Sequence, residues 1–213
     1  MKTITFINYK ILVVKRIIDL LVSVTCLIIT LPLFLNIALL IKLTSKGPIF
    51  YIQRRVGVIL PNQTKYFNMI KFRTMKQDAE SETGAVWAKK NDGRLTCVGK
   101  VLRKTRADEL PQFINVIKGD MSLIGPRPER PEIAQKLEKN IPFYVERTFW
   151  VTPGITGLAQ VYQGYDESID DVRSKIAYDF AYSLSLTKLH LWLLMDLKIV
   201  FRTFIIMILG RGQ

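Results

Sequence analysis

The run IIDLLVSVTCLIITLPLFLNIALLIKL, residues 17–43, limits what this chain can fold into more than any other stretch. A straight helix from Ile17 to Ile41 measures about 38 Å at 1.5 Å per residue, longer than a bilayer hydrocarbon core of about 30 Å. No small-residue cleavage site follows a shorter apolar region, so the stretch is read as retained and not as a signal peptide. Too few polar residues interrupt it to suit a buried helix of a soluble domain. Both flanks are basic. Lys2, Lys10, Lys15 and Arg16 precede it; Lys42, Lys46, Arg54, Arg55, Lys65, Lys71, Arg73 and Lys76 follow, and neither 1–16 nor 42–76 holds an acid. A single crossing puts one of these flanks on the translocated side, against the cytoplasmic preference of Lys and Arg. A helix that enters and returns keeps both on one side. Pro32, near the middle, supplies the break by removing one hydrogen bond and crowding the carbonyl four residues back. Thr30 and Asn36 flank it and offer side chains to the freed backbone groups. A kinked helix that still spans is the alternative, since prolines are tolerated in such helices.

Lys+Arg 31 against Asp+Glu 18 leaves a net charge of +13, which points to an anionic partner: nucleic acid, a phospholipid surface or a phosphorylated substrate. A mean hydropathy of +0.18 and the lack of zinc-finger, basic-zipper or aromatic-basic RNA-binding signatures argue against nucleic acid. Cys26 and Cys97 lie far apart and in different contexts, so neither a metal cluster nor a disulfide framework is indicated. The second apolar stretch, 186–209, carries Lys188, His190, Asp196, Lys198 and Arg202, charges too costly near the centre of a spanning helix. It is expected to be amphipathic, either lying at the interface with Trp192 as a headgroup-level anchor or packing in the core. The single histidine belongs to it, so no Ser-His-Asp or Cys-His set can be assembled.

Between the apolar stretches, PIFYIQRRV (48–56) and KYFNMIKF (65–72) read as strands joined at a Pro61-Asn62 turn, a short hairpin. Residues 77–92 are polar and read as a loop. GRLTCVGK (93–100) resembles a P-loop but has five residues between its glycines and Val101 after the lysine, so it fails that test. In TRADELPQFINVIKGDMSLIGPRPER (105–130), Pro111 and Gly119 bracket a helix. Asp108 and Glu109 then fall at its N-terminus, where the partial positive charge favours carboxylates and bound phosphate alike. Acids at helix starts are also ordinary caps. Gly125-Pro126-Arg127-Pro128 fixes an arginine between two rigid φ angles and suits bidentate recognition of phosphate oxygens, although an exposed turn would look the same. Arg103 and Arg106 stand just before the acids, so any chemistry belongs to carboxylates, arginines and an added metal.

These residues also carry a likeness. KRIIDL (15–20), IKL (41–43), GPIFYIQRRVG (47–57), KFRTM (71–75), LRKTRADELPQFINVIKGDMSLIGPRPERPE (102–132) and VTPGITGLAQV (151–161) together resemble the bacterial sugar transferases, the monotopic polyprenyl-phosphate hexose-1-phosphate transferases. The likeness runs from about Val14 to Leu209; larger members resemble the chain only in their C-terminal catalytic part. It implies a re-entrant helix broken at a proline and an active site at the cytoplasmic membrane face. The implied reaction moves a sugar 1-phosphate from a UDP-sugar to undecaprenyl phosphate and releases UMP. On the matching dyad, Asp108 becomes the nucleophile and a magnesium ligand, and Glu109 its partner, as proton acceptor or positioning group. Arg103 and Arg127 match arginines that hold phosphates, and Arg55 matches the arginine of a QxRxG motif. Mg2+ is the implied cofactor. Two departures stand out: QVYQGYDES lacks the arginine that often follows AQV, leaving Arg173 to reach that region, and Arg106-Ala107 replaces the common Ser-Leu before the dyad.

The expectation is therefore an α+β, mostly helical, monotopic membrane protein of the bacterial inner membrane. Residues 1–46 form the re-entrant helix with its flanks, and 47–213 one integrated cytoplasmic catalytic region with a hairpin and a C-terminal interfacial helix. Its partners are a UDP-sugar, undecaprenyl phosphate and membrane phospholipids, with no nucleic acid, and it starts a lipid-linked surface glycan. The sugar is not readable from the residues themselves; the PRPERPE run resembles that of hexose-transferring members of the family, a resemblance that favours glucose or galactose, with N-acetylated sugars and the oligomeric state left open. A non-catalytic membrane scaffold of the same fold, which has no need of the dyad, and a basic nucleic-acid-binding protein are the rivals.

Overall fold

The structure, a computed structural model, describes residues 7–77, 79, 92–163 and 169–209. Helix α1 (Tyr9–Thr44) contains the long apolar run. Asn8 caps its start by accepting the Lys10 N–H at 3.0 Å, and Arg73 holds its end, donating to Ser45 O at 2.9 Å, to Ser45 Oγ at 2.8 Å and to Lys46 O. Helix C-termini leave carbonyls without partners, so a cation is well placed there. The element continues through Pro32. Thr30 Oγ1 donates to Cys26 O at 2.7 Å and Asn36 Nδ2 to Pro32 O at 2.9 Å. Neither reaches the Ile28 carbonyl that the proline deprives of its donor, a difference from the expected repair; such back-bonding instead favours bending.

Ile11, Lys15, Asp19 and Ser23 are buried at helical spacing, then nothing on α1 is buried until Ile37 and Ile41. Leu21, Ile28, Ile29, Leu31, Leu33 and Leu35 are all half or more exposed. A soluble core helix would bury such residues. The chain thus carries one long apolar helix compatible with membrane association.

Strands β1 (Phe50–Leu60) and β2 (Gln63–Phe72) form the expected antiparallel hairpin, with Leu60 opposite Gln63 across the Pro61-Asn62 loop. After the segment around 78–91, which lies outside the described residues together with most of the expected loop, helix α2 (Cys97–Lys104) begins at Thr96, whose side chain accepts the Gly99 N–H at 2.9 Å. Gly99 lets α2 lie directly on the backbone at Thr74: a Cβ there would stand 1.9 Å from the Thr74 oxygen. Helix α3 (Gln112–Lys118) starts after Pro111 and ends at Gly119, φ 88°, as the sequence predicts. Asp108 and Glu109 are not in its first turn. They occupy a separate 3₁₀ turn, Ala107–Glu109, entered through Arg106 in the left-handed region at φ 58°.

The remaining elements are β3 (Ser122–Ile124), α4 (Pro131–Asn140), β4 (Gly154–Thr156), α5 (Leu158–Tyr162), α6 (Ile169–Ser185) and α7 (Leu189–Ile208). Strands β3 and β4 pair in parallel, Ser122 with Gly154 and Ile124 with Thr156, a contact that local sequence pattern did not signal. One core joins Ile7 and Ile11 of the N-terminal region to Ile124, Tyr182, Trp192 and Ile199. A second packs α4 against α6 through Ile133, Leu137, Val172 and Ile176. A third seats Ile37 and Ile41 on Phe72 and Leu102, with Phe34 against Phe72 at a ring separation of 4.6 Å.

A buried ionic cluster ties α1 to β3 and α7. Lys15 Nζ lies 3.9 Å from Asp19 and 3.5 Å from Asp196. Asp19 accepts from Ser122 Oγ at 2.7 Å and from the Leu123 N–H at 3.1 Å, and Trp192 Nε1 donates to Asp196 at 2.7 Å. Trp192 is therefore a core residue, 1% exposed, and not a headgroup-level anchor. His190 is exposed. The outward face of α7, including Leu193, Leu194, Leu197, Phe201, Phe204 and Ile208, is apolar and exposed, the pattern of an interfacial helix.

Candidate active site

The hairpin, the 3₁₀ turn and the Gly125–Pro128 turn converge on the adjacent carboxylates. Asn115, fully buried, fixes the first of these to α3: its Oδ1 accepts the Ile70 N–H at 2.9 Å and its Nδ2 donates to Asn68 O at 2.8 Å. That seam brings Lys71 onto Glu109, Nζ to Oε1 at 2.9 Å. Lys71 carries no assigned role in the sequence reading. The signal was present, because Lys71 falls in phase with buried Phe67 and Met69 on one face of β2, where a cation needs a buried partner.

Glu109 meets two further cations, Arg127 at 3.5 Å and Arg106 at 3.6 Å. Burial alone would raise its carboxyl, but Lys71, Arg127 and Arg106 together hold it well below the usual glutamate range. Asp108, equally buried, goes the other way. Loss of water raises its carboxyl, reinforced by the Glu109 charge and only partly opposed by Lys71, Arg103 and Arg106. Environment thus separates two neighbouring carboxylates: one is locked as an anion, the other is kept basic. Among the described residues Asp108 makes no ion pair, so its oxygens remain available.

Arg103 extends from α2 to donate through Nε to Thr74 Oγ1 at 3.2 Å. Arg127 is 42% exposed at the side chain, between Glu109 and solvent. Its turn is held by backbone. Gly125 N–H donates to Thr156 O and Gly154 N–H to Pro126 O, both at 2.9 Å. Glycine is required at the crossing, where a Cβ on Gly154 would fall 2.1 Å from the Gly125 nitrogen. Two arginines grip the carbonyls of the turn itself. Arg147 Nη2 donates to Arg127 O at 2.8 Å while its Nη1 bonds Asp179 at 2.8 Å, and Arg55 Nη1 donates to Pro128 O at 3.1 Å and pairs with Glu129 at 3.3 Å. Burial, only partly offset by Glu129, lowers the Arg55 guanidinium to about 10. Arg55 thus faces the turn, whereas Arg103, Arg106, Arg127 and Lys71 ring the dyad. Arg147 was not singled out by sequence; a lone arginine in VERTFW offers no periodic signal.

Arg173 engages Asp170 at 3.1 Å and Asn140 O at 3.5 Å on the surface of α6, and neither partner belongs to the dyad. Tyr165 and Asp166 lie outside the described residues. Around the dyad four cations face two carboxylates, leaving positive charge in excess for a polyanion. The arrangement has no general-base histidine, and its free carboxylate is suited to nucleophilic attack on an electrophile held by cations.

Residues 10–210 match a family described as bacterial sugar transferase. The chain is 47% identical over 199 residues to the UDP-N-acetylgalactosamine-undecaprenyl-phosphate N-acetylgalactosaminephosphotransferase of Aeromonas hydrophila, covering 93% of this chain and 44% of that protein. It is 41% identical over 194 residues to the UDP-glucose:undecaprenyl-phosphate glucose-1-phosphate transferase of Klebsiella pneumoniae, covering 90% and 39%. With the exopolysaccharide production protein PSS of Rhizobium leguminosarum bv. phaseoli it shares 36% identity over 207 residues, 95% of this chain and 98% of that one. The chain therefore spans less than half the length of the first two relatives and nearly all of the third.

Proposed function

The chain belongs to the bacterial sugar transferase family, and from that membership we propose that it transfers a sugar 1-phosphate from a UDP-sugar to undecaprenyl phosphate, releasing UMP and starting a lipid-linked surface glycan. The observation that carries the reading is the pair of opposed carboxylates within one ring of cations. Asp108 attacks the β-phosphorus of the donor as its bond to the bridging oxygen breaks, and UMP departs with that electron pair. The lipid phosphate oxygen then attacks the aspartyl-phosphosugar, and the Asp108 carboxylate leaves unchanged. A carboxylate nearing a diphosphate meets like charge, about 4 kcal/mol for two unit charges at 4 Å in an effective dielectric near 20. Arg103 and Arg127 offset this by holding phosphate oxygens, Lys71 and Arg106 by surrounding the dyad, and Glu109 by orienting Arg127. Arg55 acts through Pro128 as a positioning residue for the same turn. An unpaired Asp108 carboxylate fits the modest protein ligand set that magnesium accepts alongside substrate phosphates; bound there, Mg2+ supplies further charge neutralisation.

We read residues 1–46 as a re-entrant arm and 47–213 as a catalytic region on the cytoplasmic face of the inner membrane. Support comes from α1, whose two ends pack on the same body while none of residues 24–36 is fully buried. A helix that crossed once would leave one end free of that body, and one lying along it would bury its middle. Arg16 donates to Val116 O and to Ile117 O at 2.8 Å on one side of the arm, and Ile37 and Ile41 pack in the Phe72 cluster on the other.

The functional test is UMP release over UDP-glucose, UDP-galactose, UDP-N-acetylglucosamine and UDP-N-acetylgalactosamine with undecaprenyl phosphate and Mg2+; one donor is expected to dominate, and no release with any of them would defeat the reading. Both glucose and N-acetylgalactosamine donors appear in the names of the relatives, so both belong in the panel. For the arm, single cysteines at Tyr9 and Thr44, in a background with Cys26 and Cys97 replaced, are expected to label from the same side of sealed vesicles. Labelling from opposite sides would establish a spanning helix.

A further inference from the structure

Helix α7 carries two cations within its apolar length, and they share one flank. Lys198 and Arg202 lie four residues apart, beside the inward stripe of Trp192, Ile199 and Thr203. Both converge on Tyr162 at the end of α5: the Arg202 guanidinium carbon is 3.8 Å from the ring centre and Lys198 Nζ 5.3 Å. Tyr162 is itself stacked on Tyr178, ring centres 5.4 Å apart and 16° from parallel, so the platform beneath the cations is fixed. Several buried or half-buried cations have acids: Lys15 has Asp19 and Asp196, Arg55 has Glu129, Arg147 has Asp179. Among the described residues Lys198 and Arg202 have no acid within ion-pair distance.

A guanidinium whose carbon sits over an aromatic face leaves N–H donors at its edges for phosphate oxygens, while the neighbouring lysine adds a point charge. Beyond His190 in its first turn, the rest of the exposed α7 surface is Leu, Ile, Val, Met and Phe, which places the pair where a helix lying in the interface meets headgroups. We propose that Lys198, Arg202 and Tyr162 form a headgroup site for an anionic phospholipid, its phosphate on the two cations and its acyl chains along the apolar face of α7. Its three residues are not among the groups paired with Glu109, and the proposal does not depend on the transfer reaction. A soluble nucleotide gains nothing from the apolar surround, which is why a membrane lipid is the occupant.

The test uses the full chain in phosphatidylcholine nanodiscs with and without phosphatidylglycerol, followed by native mass spectrometry to count the lipids retained on release. Wild type is expected to retain phosphatidylglycerol over phosphatidylcholine. Lys198→Gln with Arg202→Gln should weaken that retention about tenfold or more, the scale of losing two cations at an anionic surface. Arg202→Lys, which keeps the charge and loses the stacked fork, should fall between them, and Lys42→Gln with Lys46→Gln should match wild type. Unchanged retention in the double variant overturns the proposal, as does an equal loss in the Lys42 and Lys46 control. A third arm adds undecaprenyl phosphate; if that lipid, and not phosphatidylglycerol, is what the double variant loses, the phospholipid assignment is wrong.

Discussion

Asp108→Asn is expected to lower UMP release by on the order of 10⁴-fold or more, the scale seen when a covalent nucleophile is removed, while leaving the chain at least as stable as wild type. The second half of that expectation comes from the geometry. Asp108 is buried, makes no ion pair among the described residues, and is pushed above the usual aspartate range chiefly by loss of water. A group with a raised carboxyl opposes folding in its ionised form, so a neutral isostere relieves a cost. Thermal unfolding in detergent should therefore show an unchanged or raised midpoint beside the lost activity. A structural aspartate predicts the reverse on both counts: turnover retained, midpoint lowered. If Asp108→Asn turned over UDP-sugar at the wild-type rate, the aspartyl intermediate would be excluded, since no other described carboxylate near the cations is unpaired.

The large features were legible because each rests on a local physical rule. An apolar run that outlasts a bilayer can scarcely be anything but a membrane-compatible helix, Pro61-Asn62 can only turn, and Pro111 and Gly119 mark a helix from both ends. The Gly125–Pro128 turn delivers Arg127 to the dyad as its rigid φ angles imply. Long-range pairings were not legible. The parallel contact of β3 with β4 joins three-residue strands with no distinctive alternation, and the partner of Asp196 lies far back in the chain at Lys15. Charge counting also overstated the flanks. Lys15 and Arg16 are committed to internal partners, Arg73 closes α1, Arg55 holds Pro128, and Lys71 belongs to the dyad. A cation tally treats all of these as solvated surface. What favours the returning arm is where its two ends pack, which the sequence did not display. The same tally concealed Lys71, the residue whose removal should be felt most in stability.

Lys71→Met is expected to destabilise the fold by about 3 kcal/mol, the lower end for removing one partner of a buried pair, because Arg106 and Arg127 still face Glu109. For a chain of this length that corresponds to a fall in midpoint of roughly 6–12 °C. The cost is the stranded Glu109 charge and not the lost lysine packing, so adding Glu109→Gln should restore most of it. The double variant is expected to unfold above Lys71→Met alone, although it remains inactive because Arg127 loses its anchor. The pH dependence separates the same two explanations. In wild type the Glu109 carboxyl lies below the usual glutamate range, so its contribution is fully present above that range and is lost as pH falls through the lowered value. Without Lys71, only the two partly exposed arginines oppose burial, and the carboxyl is expected to move up from its lowered value and past its ordinary one. Stability of Lys71→Met should then increase as pH falls through the glutamate range, where wild type is flat or declining. If the variant instead keeps the wild-type slope, Arg106 and Arg127 suffice to hold the anion. Lys71 would then be a packing residue that happens to touch it.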